Sequence, residues 1–231
     1  MHTLMLMSPK GGAGKSTMSV VIAGELSNAG KTVVMIDADP NFPLHGWKSL
    51  NQSPDNISVS TDDDPEGGTI QATIAKAQSE SDFVIIDTEG TANRRVQIAA
   101  LQADLIIIPF NPSPLDIAQA AKAVGFLDTL SRETGQTIHY LLAPTQMEHV
   151  GTSKATFTAI QQVRDAGKPI ITNALMRRET FRAMFQYGAT LYTLTAKESS
   201  GVAKTRINAQ EFVGEVMAHY KTILDGEKAV A

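Results

Sequence analysis

Residues 10–17 read Lys-Gly-Gly-Ala-Gly-Lys-Ser-Thr and follow closely on the apolar run Leu4–Met7. Gly11, Gly12 and Gly14 remove the Cβ atoms that would keep backbone N–H groups away from a bound anion. Just beyond, Met18, Val21, Ile22 and Leu26 recur at three- and four-residue steps, the pattern of an amphipathic helix. Gly30 is placed to end that helix. A strand, a glycine-rich turn and a helix N-terminus in this order form a phosphate-binding loop, and the helix dipole adds positive potential at its mouth. Lys15 is expected to reach the β- and γ-phosphates of ATP and the Ser16 hydroxyl to ligate Mg²⁺. Gly11, Gly12, Ala13, Gly14 and Thr17 complete the expected nucleotide contacts.

The loop departs from the general G-x-x-x-x-G-K-[ST] pattern. The first glycine would fall at Pro9, and a second lysine, Lys10, stands at the loop entrance. An ordinary loop does not need that lysine to hold its own phosphates. Its position suits contact with a second nucleotide across a dimer interface.

The rest of the chain alternates apolar runs with helical patterns. Strands are expected at Leu4–Met7, Thr32–Ile36, Phe83–Ile86, Leu105–Pro109 and Ile138–Leu142, with weaker candidates at Ile57–Ser60 and Ile170–Thr172. The strong runs are continuous rather than alternating, as strands covered on both faces require. Helices are expected after Leu115, over 155–166 and over 205–224. This rhythm predicts an α/β fold with a doubly wound, mostly parallel sheet flanked by helices, formed by residues 1–231 as one domain. Residues 51–68 read as a long loop. The Asp62-Asp63-Asp64 run within it reads more readily as solvated charge than as a metal site.

Composition narrows the function classes. The chain has no cysteine, so disulfides, thiolate zinc sites and cysteine-held iron–sulfur clusters are excluded. No apolar run approaches the ~20 residues that cross a bilayer. The N-terminus lacks a basic region and cleavage site, so it reads as a strand rather than a leader. With the first strand starting at residue 3, an additional N-terminal DNA-reading domain is not expected. Residues 1–140 carry 9 Lys/Arg against 16 Asp/Glu, and residues 141–231 carry 11 against 8. A basic face is therefore compatible with the overall charge of −4.

The segment Pro9–Thr17 resembles the deviant Walker A motif of the ParA/MinD ATPases. Asp37-Ala38-Asp39-Pro40 is similar to the family's second motif, and Phe83-Val84-Ile85-Ile86-Asp87 to its Walker B strand. Residues 108–116, Ile-Pro-Phe-Asn-Pro-Ser-Pro-Leu-Asp, resemble a segment of the small plasmid-partition subgroup that includes ParF and VirC1. The resemblance implies a P-loop NTPase fold and Mg²⁺-dependent ATP hydrolysis, slow until a partner stimulates it. It implies that Lys10 crosses the interface of an ATP-sandwich homodimer, that Asp39 positions the attacking water, and that Asp37 and Asp87 act through Mg²⁺. It also places the segment of Asn173, Met176 and Arg177 near the adenine. Glu89, in the switch segment 88–92, is less usual for the family.

The function this implies is positioning: an ATP-bound dimer binds DNA without sequence preference, and a ParB-like adaptor stimulates hydrolysis and release. Such a protein is cytoplasmic and nucleoid-associated. The basic residues offered for DNA are Arg178, Arg182, Lys197, Lys204 and Arg206, with a solvated helix face as the plainer reading. The alternative, a MinD-like membrane-cycling ATPase, requires a basic amphipathic tail. Here Phe212, Val213, Val216, Met217, Tyr220, Ile223 and Leu224 share a face opposite mixed charges, which fits packing on the core.

Overall fold

The computed structural model describes residues 1–90, 93–147 and 154–230. Seven strands are present among them: β1 (His2–Leu6), β2 (Val33–Ala38), β3 (Ile57–Thr61), β4 (Phe83–Thr88), β5 (Leu105–Phe110), β6 (Tyr140–Met147) and β7 (Leu175–Met176). Helices α1 (Lys15–Asn28), α2 (Pro43–Ser49), α3 (Ile70–Glu80), α4 (Arg94–Gln102) and α5 (Pro114–Thr134) lie between the first six strands. They are followed by α6 (Lys154–Asp165), α7 (Glu179–Tyr187) and α8 (Val202–Val230). The strands pair in the order β3-β2-β4-β1-β5-β6-β7, all parallel.

The continuous apolar runs have the expected consequence. β2, β4 and β5 are buried at every position. The two-residue period of a strand divides them between two cores. Leu4, Leu6, Val33, Met35, Ile85 and Ile107 pack with α1 and α8. Met5, Val34, Ile36, Val84, Ile86 and Ile106 pack with α3, α4 and α5. On α8, Phe212, Val213, Val216 and Tyr220 are buried in the first core, and Met217, Ile223 and Leu224 pack against it. At about 1.5–3 kcal/mol for each fully buried large apolar side chain, this face is committed to the domain. No helix among the described residues is long and apolar enough to cross a membrane.

Four sequence expectations shift. β6 starts at Tyr140 and runs to Met147, because its pairing with β5 extends from Ile106↔Tyr140 to Phe110↔Pro144. Ile170 makes only an isolated bridge with Leu142. Beyond it, Glu215 on α8 takes the amides of Thr172 and Asn173 at 2.7 and 2.8 Å, so those donors are diverted from a sheet ladder. The last strand therefore forms later, at Leu175. The 51–68 loop is interrupted by β3, which bears out the weaker strand candidate at Ile57–Ser60. Finally, Asp62 is buried rather than solvated, with its carboxylate accepting from the Thr69 and Thr73 hydroxyls.

The short helix α2 is fixed at both ends. Asp37 accepts from the Leu44 and His45 amides at its N-terminus. Near its C-terminal end, the Trp47 indole donates to the Ala189 carbonyl at 3.0 Å. Gly188 has φ +64°, and a Cβ there would collide with Leu50 and the Trp47 carbonyl, so a side chain at 188 is incompatible with this docking.

Candidate nucleotide site

β1 lies between β4 and β5, so the loop that follows it emerges at the carboxyl edge of the sheet, flanked by both neighbours. Gly12 and Gly14 have φ of +79° and +94°, which only glycine adopts without strain. A Cβ added at Gly11 or Gly12 would meet nothing within 4 Å, so the loop encloses an open cradle. Gly14 caps α1, with the Met18 amide donating to its carbonyl at 2.9 Å. Lys15, in the first turn, is 7% exposed.

Two braces on this loop had no sequence signal. Thr145 Oγ1 donates to the Ala13 carbonyl at 3.0 Å, and Gln146 Nε2 to the Gly12 carbonyl at 2.7 Å. The register of β6 and β7 shifts between Thr145 and Met147, and Gln146 stands there at φ +54°. A non-glycine residue in that conformation costs on the order of 1–3 kcal/mol. The bulge turns the amide toward the phosphate loop.

Lys10 is held outside the cradle. Its ammonium donates to Asp116 Oδ1 at 2.6 Å, and half of its side chain is exposed. Ser113 Oγ donates to the other carboxylate oxygen of Asp116 at 2.9 Å and accepts from the Asp116 amide, capping α5. The segment 108–116 therefore forms a wall beside the loop entrance.

Asp37 and Asp87 are direct partners across β2 and β4, and Asp87 is also opposite Leu6 at the end of β1. Both are fully buried. Neither oxygen of Asp87 has a hydrogen-bond partner. Burial pushes its pKa up to about 7; the Ser16 hydroxyl and the Lys15 ammonium pull it back, although neither reaches hydrogen-bonding geometry. In Asp37, Oδ2 accepts from Leu44 and His45 at 2.7 and 2.8 Å while Oδ1 has no partner. Burial raises its pKa, and those amides oppose the rise. Asp39 is partly exposed, and its Oδ1 accepts from both the amide and the side chain of Asn41 at 2.9 Å.

Three unpaired, buried carboxylate oxygens beside a lysine and a serine hydroxyl call for a cation. Among the described residues no group of three or more acidic or histidine side chains forms a metal cage. A pair of carboxylates suits Mg²⁺, which keeps waters and shares phosphate ligands. The residues thus fit Mg²⁺ with a nucleotide.

A pocket of about 210 Å³ opens beside Gly14 and Thr17, walled by Thr145, Leu175, Met176 and Phe181 and also lined by Arg177, Arg178 and Arg182. The structure gathers these arginines at the pocket beside the glycine loop. Met176 is set by its amide donating to Asn208 at 2.9 Å. Asn173 is exposed and does not line this pocket; its amide is held by Glu215. Lys197 and Lys204 are exposed. Arg206, expected in the same patch, instead donates to the Leu191 carbonyl at 2.7 Å and stacks 4.7 Å over the Tyr192 ring. Its guanidinium is committed to packing. Of the switch segment, Thr91 and Ala92 lie outside the described residues.

The family model described as VirC1 protein matches residues 1–225. The chain belongs to the VirC1 protein family. ParA of Rhizobium radiobacter is 31% identical over 231 residues, spanning 97% of this chain and 99% of its own. The fold matches apo McdA of Cyanothece at a TM-score of 0.71 and 19% identity, covering 92% of this chain and 99% of that one. It also matches a cobyrinic acid a,c-diamide synthase from Mycobacterium smegmatis with a bound ATP analogue and magnesium, at 0.68 and 18%, covering 96% of each. This VirC1-family chain is thus a relative of ParA, and it has the P-loop NTPase fold of these structural neighbours. The synthase shows that the fold alone names no task.

Proposed function

We propose that the protein is a Mg²⁺-dependent ATPase that switches between a monomer and an ATP-sandwich homodimer, the dimer binding DNA without sequence preference. The observation that carries this reading is Lys10. It is a second lysine at the phosphate loop, unused by the loop's own cradle, half-exposed, and held by a carboxylate on a neighbouring element. A charge so placed is available to a nucleotide on a second copy, where it would stabilise negative charge on the transferring phosphoryl group.

Lys15 and the amides of the loop would bind the phosphates, and Ser16, Asp37 and Asp87 would hold Mg²⁺. The ion, when bound, supplies charge neutralisation of the phosphate oxygens. Asp39, oriented by Asn41, would position the attacking water. The pocket of Met176, Phe181 and Arg178 would take the adenine, with Arg177 at its rim. Lys197 and Lys204, with Arg182, would face DNA phosphates. An adaptor protein of ParB type would stimulate turnover and release the dimer, moving a plasmid or other cargo over the nucleoid. The burial of the apolar face of α8 favours this reading over membrane cycling.

The test is DNA binding by Asp39→Ala on a random duplex, with Mg-ATP against Mg-ADP at two salt concentrations. Binding with ATP only, weakened by salt, is expected. A confirmed dimer that ignores DNA under both nucleotides would sink the DNA arm of the proposal.

A further inference from the structure

Arg95, in the first turn of α4, is one of the largest fully buried side chains in the protein, at 1% exposed. Its Nη1 donates to the Asp62 carbonyl oxygen at 2.8 Å and its Nη2 to Glu89 Oε1 at 2.9 Å. Nη1 also stands 4.0 Å from the Asp62 carboxylate. The two partners lie on different loops. Asp62 follows β3, and its own amide donates to the carbonyl of Asp37 at 3.0 Å. Glu89 lies two residues beyond Asp87 and is gripped a second time, by Asn93 Nδ2 at 2.5 Å.

These loops close on the nucleotide site from one side. A Cβ at Gly90 would approach the carbonyl oxygens of Ser8 and Pro9 to 3.3 Å, so the backbone after Glu89 rests on the entrance of the phosphate loop. A Cβ at Gly67 would come within 3.0 Å of the Arg95 backbone, so the loop after β3 closes over the start of α4. Burying a guanidinium is a poor way to fill space, since apolar residues of similar volume often stabilise as well or better. What the planar fork provides is two directed contacts at a fixed separation.

We infer that Arg95 is a positioning residue for hydrolysis: through Glu89 it holds the Glu89–Gly90 backbone against the entrance of the phosphate loop, aligned with Asp37 and Asp87. Glu89 thereby serves as the anchor of that backbone, its Oε1 accepting from both Arg95 and Asn93. This inference rests on the ATPase reading above, and the experiment separates the two.

Glu89→Ala and Glu89→Gln are compared with the unaltered protein. Ala removes the acceptor; Gln keeps one for Nη2 and gives up the charge. In Glu89→Ala, kcat for Mg-ATP is expected to fall about ten- to a hundredfold, the scale of a misplacement near 1 Å, with ADP affinity held within about threefold. Glu89→Gln is expected to recover most of the rate. Amide hydrogen exchange over residues 86–90 without nucleotide is expected to speed up in Glu89→Ala by about tenfold. Unchanged turnover in Glu89→Ala, a Gln variant as slow as the Ala one, or unchanged exchange would each overturn the inference. If Glu89→Ala does not fold, Glu89→Asp, which draws the carboxylate back from Arg95, is held to the same outcomes. A wild-type protein without nucleotide binding or turnover would defeat the ATPase reading, while the exchange measurement would still decide whether the clamp exists.

Discussion

Lys10 Nζ lies 2.6 Å from Asp116 Oδ1, so the lysine at the entrance of the phosphate loop is tied to its own chain. A pair whose lysine is half-exposed is worth about 0.2–1 kcal/mol. If the tie must break before dimerisation, Asp116→Asn should lower the ATP concentration for half-maximal dimer by up to about fivefold. Lys10→Ala should lose the dimer and much of the turnover while ADP still binds. Size-exclusion chromatography with light scattering across an ATP series measures both. An Asp116→Asn midpoint equal to wild type would show that the tie is not broken on assembly.

Gln146 trades backbone strain for a brace on the phosphate loop. Gln146→Gly removes the Gly12 contact and relaxes φ +54° at once. Thermal stability should therefore stay near wild type, while nucleotide affinity drops by roughly fivefold, about one hydrogen bond. Titration calorimetry with ADP reads the second; a wild-type affinity would remove Gln146 from the site.

Asp87 sets a pH dependence whose sign follows from its burial. Its pKa rises on folding from 3.8 to about 7, so the folded state holds the proton more tightly than the unfolded one. This contribution to metal-free stability should be fully present below the lower value, fall as pH climbs through the window toward about 7, and level off beyond it. The raised pKa of Asp37 acts in the same direction. Asp87→Asn should flatten the decline and raise the metal-free melting temperature at pH 8. The same variant should lose the extra stabilisation that Mg-ADP gives the wild type. Melting curves from pH 5 to 8, with EDTA or with Mg-ADP, check all three.

Arg178 and the lysines near residue 200 should separate by assay. Arg178→Ala should weaken nucleotide binding, because its side chain lines the pocket beside Gly14. Lys197→Ala with Lys204→Ala should leave nucleotide binding unchanged. Counted over both subunits of the dimer, the paired variant should reduce the salt slope of DNA binding by up to about four. Equal DNA slopes in wild type and the double variant would return both lysines to plain solvated surface.

The glycine turn between β1 and α1, the main strands and the strand-end positions of Asp37 and Asp87 were legible because each rests on local chemistry. A glycine turn, an apolar run and a carboxylate at a strand end are visible within a few residues. Thr145 and Gln146 were not, because their contact with the loop spans more than 130 residues of sequence. Arg206 reads as a surface cation until Tyr192 is placed beneath it. Asp62 reads as one of three solvated acids until Thr69, Thr73 and Arg95 surround it. The late position of β7 depended on a carboxylate from α8, which no local propensity records.

The chain has one tryptophan, and it sits in the helix capped by Asp37. Its indole rests on the Ala189 carbonyl, just beyond α7. The protein thus carries its own optical probe on the strut between Asp37 and the segment that follows α7. A stopped-flow emission trace, with no dye attached, would time the arrival of nucleotide.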